Sequence, residues 1–253
     1  MLPRVRSFEE LVSEGESVPV EGWDFSWFEG RATEQRPSWG YSGLLGKRMA
    51  HADAALDLQT GGGEVLATIP SAPPVLCATE SWPPNLEIAR RNLAALGANV
   101  VAAEDEGPIP FEDKAFDLVT TRHPVVTPWA EVARVLRPGG TFLSQSVGAG
   151  TVRELTDAMM GPQPVGEARL PSRAAAAAED AGLVVVELRS ESLRMEFFDI
   201  AAVIVFLRKV IWTVPDFSVA AFREPLRALH DQIVADGPFV ATSERFLIEA
   251  RCP

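Results

Sequence analysis

The stretch 55–64, Ala-Leu-Asp-Leu-Gln-Thr-Gly-Gly-Gly-Glu, constrains this chain more than any other. A short apolar run ends in three consecutive glycines, the pattern of a buried strand entering a tight turn, with a helix expected over 64–69. Glycine takes backbone conformations closed to other residues and lets a ligand approach the main chain. The free N–H groups at the start of a helix would point at whatever sits there. Asp57 lies just before the turn. A phosphate loop would place Lys and then Ser or Thr after the last glycine, where Glu64 stands instead. A dinucleotide fingerprint spaces its glycines G-x-G-x-x-G, which these do not. An acid ahead of the glycines suits a cationic, amine-bearing ligand better than a pyrophosphate. A plain turn with no ligand is the remaining reading.

The chain around this turn alternates strands and helices. Buried strands are expected at 75–80, 99–103, 118–121 and 141–147. Between the first two, a helix carries Leu86, Ala89, Leu93 and Leu96 on one face, with prolines in its first turn and Gly97 as its cap. A second helix is expected to open on Thr127 as N-cap with Pro128 following, and to end at Arg137-Pro-Gly-Gly140. Such alternation implies parallel strands, right-handed crossovers and helices on both faces, a doubly wound Rossmann-like α/β sheet. In that architecture ligands bind at the carboxyl ends of the strands beside the topological switch point. Asp57, Glu80 and Asp105 close the strand before the glycine turn and the strands at 75–80 and 99–103. Any one acid alone is ordinary solvated surface, whereas three at matching strand ends can line one edge.

The chain has 253 residues, enough for one sizeable core with or without an insertion. Its net charge of −12 argues against a nucleic-acid or anionic-membrane partner. Only three of the 23 basic residues are Lys, as in proteins of GC-rich bacterial genomes. Cys77 and Cys252 lack metal-ligand spacing, so no metal is expected, and a reduced, cytoplasmic setting fits. The N-terminus is polar over 7–16 and lacks an apolar signal core. The most apolar run, 200–207, is too short to span a bilayer and reads as a buried helix.

Several motifs, taken in order, resemble those of the class I S-adenosylmethionine (SAM)-dependent methyltransferases of the ubiquinone/menaquinone-biosynthesis type. Asp57, Gly61 and Gly63 match the family's Asp-x-Gly-x-Gly-x-Gly, with Gln59 where the first glycine is usual. Asp105, Ile109-Pro-Phe111 and Phe116-Asp-Leu-Val119 resemble its Asp-…-Leu-Pro-Phe-…-Phe-Asp-x-Val run. Glu131-Val-Ala-Arg-Val-Leu-Arg-Pro-Gly-Gly140 resembles its Arg-Val-Leu-Lys-Pro-Gly-Gly element. The resemblance covers about the middle third of the chain. It implies a seven-stranded sheet of order 3-2-1-4-5-7-6 with the last strand antiparallel. It also implies SAM as cofactor, with Asp57, Gln59, Gly61 and Gly63 at the methionine part and Glu80 at the ribose hydroxyls. Asp105 would meet the adenine amino group, the main chain at Glu106 the adenine edge, and Thr121 the methionine amine. Trp82 would lie against the adenine or simply pack at a helix start.

Outside those motifs, residues 1–49 combine Trp23, Phe25, Trp27, Phe28, Arg31, Arg36, Trp39 and Tyr41 without a clear period. This arm either covers the domain or forms a lid over the cofactor, with Arg31, Trp39 and Tyr41 as its contacts. Residues 50–253 would then be the SAM-binding domain. Helices are expected over 152–160 and 173–181, the latter capped by Ser172, and strands over 183–188 and 246–251. A helical insertion at 197–240 is the natural wall of an acceptor pocket, and His230 reads as a surface residue. His123, in Thr121-Arg-His-Pro124, is the candidate general base. The expected function is methyl transfer to a small molecule. A macromolecule methyltransferase, and a SAM-binding protein without transfer activity, are the alternatives. Gln59 keeps the second of these open.

Overall fold

Short apolar runs become strands here because each is bounded by glycine, proline or charge before a helix could close its turns. The computed structural model describes residues 6–20 and 25–253, so Trp23 lies outside the described residues. Its strands are β1 (Ala32–Glu34), β2 (Ala54–Leu58), β3 (Val75–Glu80), β4 (Asn99–Ala102), β5 (Phe116–Arg122), β6 (Leu136–Val147), β7 (Val184–Phe197) and β8 (Phe239–Arg251). Its helices are α1 (Phe8–Ser17), α2 (Tyr41–Met49), α3 (Pro83–Asn92), α4 (Trp129–Val135), α5 (Arg153–Met160), α6 (Pro171–Asp180), α7 (Ile200–Lys209) and α8 (Arg223–Asp236). The hydrogen-bonding order is β1-β7-β8-β6-β5-β2-β3-β4. Without β1 this is the expected seven-strand order, with β8 antiparallel to β6. The additional strand β1 pairs antiparallel with the end of β7, Ala32 opposite Phe197.

The chain divides into two units. One comprises 37–149, 167–191 and 245–253. The middle strands of its sheet are buried on both faces, and alternation along them sorts the side chains. Ala55, Leu76, Leu118, Leu143 and Leu247 join Leu45 and Met49 of α2 and Ala89 of α3 in one core layer. Leu56, Cys77, Val119, Phe142 and Ile248 join Val132 of α4 and Ala178 of α6 in the other. The period of two and the two covered faces make this a doubly wound sheet.

The other unit comprises residues 1–36, 150–166 and 192–244. It packs around α7, where Ile200 to Leu207 are all buried. The Asp199 side chain caps that helix by accepting from the Ala202 N–H. Helix α1 belongs to this unit. Its start is a capping box, with the Ser7 hydroxyl and Glu10 carboxylate each accepting from the other's backbone N–H. Phe8, Leu11, Val12 and Gly15 form its buried face, so the polar reading of 7–16 overlooked an amphipathic helix. His230, expected on the surface, is buried on α8 against the Phe8 ring, centroids 5.5 Å apart.

Local boundaries also differ from the sequence reading. Pro70 leaves room only for a 3₁₀ turn at Leu66–Thr68, not a helix from Glu64. Thr127 does not cap α4, whose N-cap is Pro128, and α6 starts at Pro171 with Leu170 as N-cap, ahead of Ser172. No helix among the described residues is long and apolar enough to cross a membrane.

Candidate cofactor and methyl-transfer site

The carboxyl ends of β2, β3 and β5 bring most of the expected residues together within the first unit. Asp57 and Thr120 stand side by side in the parallel register of β2 and β5. Thr120 Oγ1 donates to Asp57 Oδ1 at 2.5 Å. Asp57 is nonetheless buried deeply enough for desolvation to outweigh its hydrogen bonds, and its pKa is pushed up to about 6. The Thr60 hydroxyl is near enough to favour the charged form of Asp57. It makes no well-formed hydrogen bond of its own, a buried polar atom left over at the glycine turn.

The turn keeps its tight course although a glutamine begins it. Gln59 adopts a left-handed backbone with φ 52°, and Gly61 and Gly63 follow at 65° and 77°. The Gln59 side chain crosses to the loop after β5. Its Oε1 accepts from the Val125 N–H at 2.7 Å and its Nε2 donates to the Val126 carbonyl at 2.6 Å. The three glycines differ in what surrounds them. A Cβ at Gly63 would meet Leu93 at 2.9 Å, and one at Gly62 would meet the Glu64 carboxylate at 2.2 Å. At Gly61 the nearest atom would be Glu64 Oε2 at 4.0 Å. Gly61 is therefore the open position where a ligand could reach the main chain.

Glu80 is the best-held acid. Its Oε2 accepts from the Gly61 N–H at 2.8 Å and its Oε1 from the Trp82 N–H at 2.9 Å. Burial raises its pKa against these bonds, and the charge of Asp105 pushes the same way. Asp105 thus belongs to the same edge, half-buried, with Glu106 exposed beside it. Trp82 precedes α3 as its N-cap and is 42% exposed, with its backbone N–H on the Glu80 carboxylate.

The remaining expected residues divide. Tyr41 is buried and its hydroxyl donates to the Thr121 carbonyl at 2.9 Å. Trp39 is also buried, its Nε1 donating to Gln145 Oε1 at 2.8 Å. Both are core residues fastened to the strand ends. His123 leaves β5 with φ 55°; its N–H donates to the Gln145 carbonyl at 2.7 Å, and its Nε2 lies 3.0 Å from Gln145 Nε2. Arg31 belongs to the other unit. There its guanidinium pairs with Glu14 at 2.7 Å and Asp199 at 3.3 Å and covers the Trp27 ring at 4.4 Å.

Thr79, Thr120 and Gln145 were not singled out from the sequence, yet Thr79 Oγ1 accepts the Gln59 N–H at 3.2 Å and the other two hold Asp57 and His123. Their signal was polarity inside strands that are otherwise apolar on both faces. The open approach at Gly61, the leftover Thr60 hydroxyl and the row of acids fit a ligand with a cationic end and a ribose. SAM is such a ligand, and it supplies a methyl group already activated on a sulfonium.

Comparison with known proteins agrees. Residues 56–144 match the methyltransferase-domain family. No curated protein sequence matches the chain. Among solved structures, a candidate methyltransferase from Bacillus halodurans C-125 is 21% identical with a TM-score of 0.58, covering 84% of this chain and 98% of its own. The YcgJ protein of Bacillus subtilis is 17% identical with a TM-score of 0.56, covering 83% and 97%. A geranyl diphosphate methyltransferase in complex with SAM is 14% identical with a TM-score of 0.51, covering 84% of each chain. Residues 56–144 thus match the methyltransferase domain, and the chain shares the fold of these solved structures.

Proposed function

We propose that this enzyme moves the methyl group of SAM to a small-molecule acceptor, with Asp57 and the glycine turn at the methionine end, Glu80 at the ribose and Asp105 at the adenine. Trp82 would lie against the adenine face, and the main chain at Glu106 along its edge. The observation that carries the assignment is Glu80. A buried carboxylate fixed by two backbone N–H groups keeps further lone pairs for two adjacent hydroxyls, and its direction is set before any ligand arrives. Because the sulfonium is already an electrophile, the protein mainly aligns the acceptor and keeps water away.

The acidic balance supports a small acceptor over a nucleic acid. A methyltransferase bound to the Trm112 activator of Haloferax volcanii shares the fold, with a TM-score of 0.51. A macromolecular acceptor, served by a protein partner, is accordingly the second reading. Incubation with methyl-labelled SAM and a cell extract separates the two. Label in the small-molecule fraction is expected, and label confined to RNA or protein would overturn the assignment.

A further inference from the structure

The role of His123 follows from a donor count that starts at Trp39. An indole N–H can only donate. The Trp39 bond at 2.8 Å therefore fixes the Gln145 amide with its oxygen toward the indole. The Gln145 amide nitrogen then faces His123 Nε2 at 3.0 Å with a hydrogen to give. His123 Nε2 must carry a lone pair in response, so the ring proton sits on Nδ1. Gln145 also accepts the His123 backbone N–H at 2.7 Å, so one residue sets both the main chain and the ring. Burial, with the positive charges of Arg122 and Arg245, holds the imidazole well below its ordinary range and keeps it neutral.

A general base needs a lone pair aimed at the acceptor, and the lone pair of this ring is spent on Gln145. Nδ1–H makes no hydrogen bond among the described residues and lies beyond the end of β5, two residues past Thr121. The charges of Arg122 and Arg245 bear on the same place. In a chain of net charge −12, the surroundings of this one ring favour an anion.

We infer that His123 is a fixed hydrogen-bond donor to an ionised oxygen of the methyl acceptor (a carboxylate, phenolate or enolate) and that Trp39 and Gln145 are the positioning residues that set its tautomer. The inference rests on the methyl-transfer reading above and narrows its acceptor. The acceptor's lone pair forms the new bond to the methyl carbon while the carbon–sulfur bond breaks onto sulfur. No proton moves to His123, because the acceptor arrives without one.

Nitrogen NMR of histidine-labelled protein tests the tautomer directly. Neutral Nδ1–H at pH about 7 is expected. An Nε2–H ring or an imidazolium would overturn the inference. In Gln145→Glu the carboxylate can only accept, so the proton should move to Nε2 and the His123 pKa should rise. Trp39→Phe, which keeps the ring in the core, should leave a mixture of tautomers. An unchanged tautomer in both variants would show that the relay does not set it.

Calorimetry then identifies the oxygen. His123→Ala should keep SAM affinity within about twofold, while benzoate, added as a carboxylate probe with SAM, should shift the His123 resonances of the wild type. A loss of SAM affinity of about tenfold in that variant would assign the oxygen to the cofactor's own carboxylate and overturn the acceptor assignment. So would a His123 spectrum indifferent to benzoate. Wild-type protein that bound no SAM would instead defeat the underlying reading.

Discussion

Thr120 Oγ1 donates to Asp57 Oδ1 across neighbouring parallel strands, at 2.5 Å, within a layer that excludes water from both. The bond orients the carboxylate without restoring what burial costs it, and the pKa stands at about 6. The folded protein therefore holds a proton that the unfolded chain gives up. The stability this contributes is complete below the ordinary carboxylate value and is lost as pH rises through about 6.

A cationic ligand should reverse that balance. An amine beside Asp57 favours the charged form, so SAM binding at pH about 6 should release a proton, and affinity should rise between pH about 5 and 7. Calorimetry in buffers of different ionisation enthalpy measures the release. Asp57→Asn should abolish it and weaken binding by about 1.5–3 kcal/mol, the contribution of a charge-assisted hydrogen bond. Binding without proton release and with a flat pH profile would remove Asp57 from the amine.

Gly61 and Gly63 separate ligand approach from packing. Gly61→Ala places its methyl in open space, so it should cost only the left-handed backbone, roughly 1–2 kcal/mol. It should still reduce SAM affinity tenfold or more, because the methyl occupies the approach to the main chain. Gly63→Ala drives its methyl into Leu93 and should lower the melting temperature further. Equal SAM affinity in Gly61→Ala and wild type would mean that the ligand does not lie against this turn.

Glu80→Gln tests the ribose contact. The amide can accept from only one of the Gly61 and Trp82 N–H groups and turns a donor toward the other. SAM binding should weaken by about 2 kcal/mol, from the lost charge and the disturbed turn together. S-adenosylhomocysteine, which keeps the ribose, should lose the same amount. A loss confined to SAM would place Glu80 near the methyl group instead.

The sheet was legible because its middle strands are buried on both faces and separated by glycines and prolines, so apolar runs such as 75–78 had no other use. The site was legible where acids ended those runs. What escaped depended on partners distant in sequence. Gln145 acquires a role only when β6 lies beside β5, and β1 is extended because the end of β7 is there to pair with. Trp39 and Tyr41 read either as a cover of the domain or as a lid over the cofactor, because their segment has no period. Their hydrogen bonds to Gln145 and Thr121, which fasten them to the strands, depend on residues far along the chain.

Gln59 offers the sharpest test of how this glycine turn works. Its left-handed backbone is a strain that glycine would not have, of the order of 1–2 kcal/mol. Against that stand two side-chain hydrogen bonds to Val125 and Val126, each contributing about 1 kcal/mol. Gln59→Gly should therefore change overall stability little while untying the loop that follows His123. Hydrogen exchange at the Val125 amide should accelerate about tenfold or more, because its acceptor is gone and the loop can open on its own. Gln59→Glu keeps an acceptor for Val125 but sets a carboxylate against the Val126 carbonyl, so it should destabilise the fold more than the glycine does. Unchanged exchange at Val125 in Gln59→Gly would show that the loop is held by its own packing, leaving the left-handed glutamine with no compensating contact.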